Sequence, residues 1–156
     1  MRIVSLSVLS NLFSFCVIFN NYHLYLSLQR MVRNIPNRYT REMILNELNE
    51  KTSIMGTYDF LYLPIDFQNS CNLGYAFVNM VSPQAVIQLH HSMHGKPWKL
   101  SRSSKICQLV WGRLQGKQSL LGHFRGTVHL NNTPSAFRPI AISTNATGEI
   151  VVEEVM

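Results

Sequence analysis

The octapeptide Leu73-Gly74-Tyr75-Ala76-Phe77-Val78-Asn79-Met80 carries two aromatic rings two residues apart. Side chains alternate between the faces of an extended strand, so Tyr75, Phe77 and Asn79 share one face and Ala76, Val78 and Met80 the other. The second set is small or aliphatic and suits packing against helices. The first offers two flat π-faces and an amide. Successive bases of a single nucleic-acid strand stack on such rings for about 1–3 kcal/mol each, and an amide beside them can hydrogen-bond a base edge. Phosphates need cations, and these are clustered. From Lys96 to Arg125 run Lys96, Lys99, Arg102, Lys105, Arg113, Lys117 and Arg125 with no carboxylate between them. Lys105, Arg113 and Lys117 are the candidate phosphate contacts of this run. The whole chain is basic, with a formal net charge of +6, which points to a polyanionic partner.

An isolated aromatic-x-aromatic pair more often belongs to an ordinary core, so the elements around it decide its meaning. Arg30-Met31-Val32 reads as a short strand ending at the turn Asn34-Ile35-Pro36-Asn37. Thr40 is a good N-cap before a helix carrying Ile44, Leu45 and Leu48 at helical spacing. Tyr58 to Leu63 is a strand stopped by Pro64, and Asp66 to Asn72 is a polar loop. Gly74 to Met80 is the next strand. Ser82-Pro83 caps a second helix that Gly95 stops. Ile106 to Trp111 forms a last strand, and Lys117 to Phe124 a short helix. The order β-α-β-β-α-β with an added C-terminal helix is the α+β, ferredoxin-like pattern: four antiparallel strands, two helices on one face, the other face free.

On such a sheet the octapeptide matches the RNA-recognition-motif signature at Gly74, Tyr75, Ala76, Phe77 and Val78. Leu73 replaces its usual basic residue. The first strand should supply a partner hexamer, here Arg30-Met31-Val32-Arg33-Asn34-Ile35. Met31 stands where a ring usually stands and offers a thioether without a flat π-face. Arg33 shares its face and can stack by its guanidinium plane or bind phosphate. Arg30 occupies a position that expects a core aliphatic. Gln108, on the last strand, is a candidate base reader, its face left open because a bulge near Gly112 would invert it. The second strand is apolar on both faces, with Tyr58, Phe60 and Tyr62 on one and Asp59, Leu61 and Leu63 on the other. This predicts that the Lys117–Phe124 helix covers part of the sheet through Leu120, Leu121 and Phe124.

Four stretches together resemble one family. Residues 34–40 (NIPNRYT), 58–67 (YDFLYLPIDF), 74–80 (GYAFVNM) and 114–117 (LQGK) are similar to the C-terminal RNA-recognition motif of the Mei-two-like proteins, over about Arg30 to Phe124. The resemblance implies single-stranded RNA binding by a post-transcriptional regulator in nucleus or cytoplasm, with meiosis or development as the setting. A protein-interaction module on the same fold is the alternative.

Other chemistry finds little support. Cys16, Cys71 and Cys107 form no C-x-x-C pair and are odd in number, which fits neither a disulfide framework nor a zinc knuckle. His90 and His94 share a helix face, but no third ligand is placed. Asp59 and Asp66 are not an acid/base couple, and no phosphate loop or nucleophile elbow occurs. The expectation is a binding protein, not an enzyme, needing no cofactor or metal, monomeric and not membrane-bound. Around this domain, taken as residues 27–125, lie two flanks. Residues 1–26 are apolar and, after Arg2, uncharged. They read as a weak anchor, a signal, or sequence from an erroneous gene model. Residues 126–156 read as a largely flexible tail, with Ala136 to Ile142 as a candidate edge strand.

Overall fold

The computed structural model describes residues 27–52, 56–125 and 132–156. The apolar segment 1–26 therefore lies outside the described residues. The chain forms β1 (Gln29–Arg33), α1 (Arg41–Thr52), β2 (Tyr58–Tyr62), β3 (Ile65–Asp66), β4 (Cys71–Asn72), β5 (Tyr75–Met80), α2 (Pro83–Met93), β6 (Gln108–Trp111), α3 (Lys117–Arg125), a 3₁₀ turn (Ser135–Phe137), β7 (Ile140–Thr144) and β8 (Ile150–Glu154). The main sheet has the order β6-β1-β5-β2-β7-β8, and every neighbouring pair is antiparallel. Its first four strands with α1 and α2 are the β-α-β-β-α-β pattern expected from the sequence.

The helices start where the caps predict. The Met43 N–H donates to Thr40 Oγ1 at 3.3 Å, and the Ala85 N–H to Ser82 Oγ at 3.1 Å, with Pro83 opening α2. Their apolar faces bury the main core. Ile44 and Leu48 of α1 and Ala85, Leu89 and Met93 of α2 close over Val32, Leu61, Ala76, Val78, Met80 and Leu109. Two buried polar groups tie the loops to this core. Asn72 Nδ2 donates to the carbonyls of Pro36, Asn37 and Tyr39 at 2.7, 3.1 and 3.0 Å, while its Oδ1 accepts the Gly74 N–H at 2.7 Å. Gly74 makes that turn at φ +82°, a conformation that strains any residue with a Cβ. Glu47 Oε1 accepts the Tyr39 hydroxyl at 2.7 Å and the Lys99 N–H at 2.6 Å, so α1 holds the α2–β6 connection.

Four sequence readings change. First, Tyr58, Phe60 and Tyr62 do not share a face. Tyr58 pairs with Met80 and Phe60 with Asn79, which leaves Asp59 as an extra residue in a β-bulge. Tyr58 thus packs with the helix-side core, and Asp59 turns toward Asn79, with 2.7 Å from Asn79 Nδ2 to Asp59 Oδ1. Second, Asp66–Asn72 is a tight hairpin between β3 and β4, its turn tied by Asp66 Oδ1 accepting the Gln68 and Asn69 N–H groups at 3.0 and 3.2 Å. Third, β6 is shorter than expected, and Ile106 makes only an isolated bridge with Pro97. Fourth, the segment expected to be a flexible tail contains β7 and β8. The candidate strand exists, shifted to Ile140–Thr144, because Ile140 and Ile142 complete the core beside β2, but it is not an edge: β8 pairs outside it. The side chain of Asn145 then closes the turn into β8, accepting the Thr147 and Glu149 N–H groups at 3.0 and 2.8 Å.

Arg30 fills an aliphatic's position without carrying a free charge into the core. Its guanidinium lies 3.6 Å over the Trp111 ring, and Nη1 donates to the carbonyls of Ser27 and Gln29 at 2.8 and 2.9 Å. Burial lowers its pKa to about 10. The His90 and His94 rings stack at 4.3 Å, and His94 Nδ1 accepts the Leu109 N–H at 3.0 Å, so the pair braces α2 against β6. Among the described residues no cluster of three His, Cys, Asp or Glu side chains could hold a metal, and no helix is long and apolar enough to cross a membrane.

Candidate nucleic-acid interface

The face opposite α1 and α2 is laid out in three cross-strand rows fixed by register. Gln108, Arg33 and Tyr75 form the first, and Val110, Met31, Phe77 and Tyr62 the second. Gln29, Asn79 and Phe60, with the bulged Asp59, form the third. The rows differ in access because α3 crosses this face at one end. Leu120, Leu121 and Phe124 pack there with Phe60, Ala141 and Val155, and Tyr62, Phe77 and Leu114 lie against the same cluster. The Phe124 ring stacks on Phe60 at 5.7 Å and meets Tyr62 edge-on at 4.8 Å. The helix therefore covers Phe60 of the third row, walls the second and leaves the first open, while Gln29 of the third row lies against Gly112 ahead of the helix. That α3 covers part of the sheet through Leu120, Leu121 and Phe124 is as expected.

Between α3 and the open rows runs a groove of about 1240 Å³, whose floor and walls include Met31, Arg33, Tyr62, Tyr75, Phe77, Arg113 and Phe124. The rings are held for face contact. Phe77 lies near-parallel to Tyr62 at 6.5 Å and meets Tyr75 edge-on at 5.6 Å. Burial raises the Tyr62 pKa above the ordinary phenol value, with Tyr75 adding to the effect.

Of the residues singled out in the sequence, Met31, Arg33, Tyr75, Phe77 and Arg113 come together in this groove. Gln108 is exposed and pairs with Arg33, while Leu109 faces the core; the open question of its face is thus answered, and Gln108 lies on the open side. The other three are placed differently. Asn79 is 2% exposed, with its Nδ2 donating to Asp59. The Lys117 ammonium donates to the Ile142 carbonyl at 2.7 Å and, with the Asn79 hydrogen bond, opposes the rise that burial imposes on the Asp59 pKa. Lys105 Nζ donates to the Ile35 carbonyl at 3.1 Å and to Asn37 Oδ1 at 2.5 Å, bracing the β1–α1 loop. Neither lysine lines the groove. The acid-free run thus lends the groove one cation, Arg113, and spends two others on holding the fold.

The sequence reading passed over Tyr62, Phe67 and His123 as groove residues. Tyr62 was legible in principle, two positions beyond Phe60 on the same face. Phe67 signalled itself only as an aromatic in a polar loop. His123 depends on the path of α3, which no periodicity gives.

A family model described as RNA recognition motif 2 matches residues 28–125. The chain belongs to that family. Among curated relatives it is 52% identical over 101 residues to Protein MEI2-like 3 of Arabidopsis thaliana, covering 65% of this chain and 13% of that protein. It is 44% identical over 125 residues to Protein MEI2-like 5 of the same plant, covering 80% and 15%. To the terminal ear1 homolog of Oryza sativa subsp. indica it is 36% identical over 140 residues, covering 80% and 20%. The chain thus spans a fifth or less of these relatives' lengths. Among solved structures, one described as the Rna15 RRM with bound RNA (GU) aligns at a TM-score of 0.48 and 19% identity, over 62% of this chain and 96% of that one.

Proposed function

We propose that the groove binds single-stranded RNA. One observation carries this reading: Tyr75 and Phe77 stand partly exposed in adjacent rows of one groove, with Arg33 and Arg113 lining it beside them and α3 as a wall on one side. The rings supply stacking surface to any base, and the two guanidiniums supply phosphate contacts that a planar fork makes well. Membership of the RNA recognition motif 2 family supports the same polymer. A duplex keeps its bases stacked inside and cannot present them to this floor. The function is binding rather than catalysis. The names of the MEI2-like and terminal ear1 relatives support a setting in meiosis or development; a post-transcriptional role in nucleus or cytoplasm is part of the same proposal.

The test is fluorescence anisotropy with a labelled single-stranded RNA and the same RNA annealed to its complement, across a salt series. The expected result is single-strand binding, with log K falling against log[salt] by about 0.7 per phosphate neutralised, and little duplex binding. Absence of binding at low salt refutes the reading. It would favour a protein ligand, which the exposed Leu73 and the covered third row would suit.

A further inference from the structure

We infer that the RNA path continues past the sheet onto a second aromatic platform formed by Phe67 and Phe137, facing a pocket rimmed with arginine. The inference rests on the RNA reading of the groove and extends it to a site outside the sheet.

Phe67 and Phe137 are 56% and 37% exposed, and unlike scattered surface hydrophobics they stand together as one aromatic pair. They meet edge-on at 5.6 Å and 79°, so each keeps a face free of the other. They come from distant parts of the chain. Phe67 sits in the β3–β4 hairpin, and Phe137 in the 3₁₀ turn before β7. Both supports are stiff. The Asp66 carboxylate ties the hairpin turn, also accepting from Asn69 Nδ2 at 2.7 Å. The 3₁₀ turn is fixed by the Phe137 N–H donating to the Pro134 carbonyl at 2.9 Å. Arg41 Nη1 reinforces it, donating to the carbonyls of Ser135 and Arg138 at 3.0 and 3.1 Å. The rings are therefore preorganised, and ordering them costs a ligand little.

Two features name the ligand. The first is continuity. Phe67 lines the sheet groove and also a separate cavity of about 330 Å³, whose wall includes Phe137. Tyr75, Leu73 and Phe67 line the same groove, so a strand on Tyr75 has a continuous surface toward Phe67. The second is charge. Arg38, Arg41 and Arg138 line that cavity, against one carboxylate there, Glu42. Arg41 and Arg138 are partly engaged, Arg138 with Glu154 at 3.4 Å, while Arg38 is exposed. Exposed rings beside guanidiniums, continuous with a base-stacking floor, fit one or two further nucleotides of the same strand, bases on the rings and phosphate toward Arg38.

Phe137 does not line the sheet groove, so its substitution separates the two sites. Anisotropy would be measured on the full chain with single-stranded RNAs of about four and about twelve nucleotides, both within the range of about 4–16 nucleotides seen for single-strand-binding sites. For the wild type the longer RNA should bind more tightly. Phe137→Ala should leave the short RNA unaffected and weaken the long one about 10-fold, the scale of one lost stacking contact, and Phe137→Trp should restore it. Arg38→Ala should weaken the long RNA and flatten its salt dependence. Equal binding of both lengths by Phe137→Ala and wild type overturns the platform, and so does equal weakening of both lengths. Failure of the wild type to bind either length overturns the RNA reading itself.

Discussion

Replacing Phe124 with alanine tests whether α3 is a docked cover with its own small core. Phe124 is 8% exposed, and its ring touches Phe60, Tyr62 and Phe77. Its cluster lies on the opposite side of the sheet from the main core under α1 and α2. Truncating a buried phenylalanine costs about 3–5 kcal/mol, as transfer free energy plus the cavity left behind. Leu120 and Leu121 remain as anchors, so the lower figure applies to the docking of α3. The loss should appear as local opening, because the helix-side core keeps every contact. A weakening of about 3 kcal/mol speeds amide exchange in α3 about 100-fold where exchange follows the opening equilibrium. Amides of β1 and β5 should change far less. Hydrogen exchange read by NMR or mass spectrometry resolves the two regions. Unchanged exchange in α3 would refute docking through Phe124. An equal rise in α3, β1 and β5 would refute independent docking, since it would make cover and core one cooperative unit.

Two further substitutions bear on the scaffold. A Cβ at Gly112 would fall 1.1 Å from Gln29 Oε1, so Gly112→Ala must displace the buried Gln29 side chain. It should lower stability by about 1–3 kcal/mol in a urea melt, and an unchanged midpoint would contradict the packing. His90 has its pKa pushed down to about 4, first by burial, then by His94, His91 and Arg30. The folded state therefore holds this histidine neutral where the unfolded chain protonates it. Stability should be full above the unfolded value near 6.5 and fall as pH drops toward about 4. His90→Gln should flatten the stability–pH curve in that window, and an unaltered slope would show that His90 is not its source.

The rings and the scaffold that carries them were legible in the sequence because they are local. Alternation in one strand put Tyr75 and Phe77 together, and Thr40 and Ser82 announced the helices. The apolar residues of α3 announced a cover. Features set by long-range pairing were not legible. The bulge at Asp59 moves Tyr58 to the other face, and only the register with Asn79 and Met80 reveals it. Asn79 sits on the binding face as its strand position says, but it is buried and tied to the bulged Asp59. Lys105 and Lys117 are cationic in sequence, yet carbonyls far along the chain claim their ammonium groups. A strand near 136–142 was legible, but β8 and the hairpin it forms with β7 were not, because a segment short of core-forming runs depends on its pairing partners.

The most direct measurement is the affinity of a short single-stranded RNA for the wild-type chain and for Tyr75→Ala/Phe77→Ala. Both rings are partly buried on the groove floor and Phe77 packs against the α3 cluster, so their loss should lower the thermal melt, and affinity is compared well below the melt of the double variant. Two stacking contacts at about 1–3 kcal/mol each predict a loss of at least about 30-fold. Binding by the double variant within a few-fold of wild type, with its fold intact, would contradict a base-stacking groove.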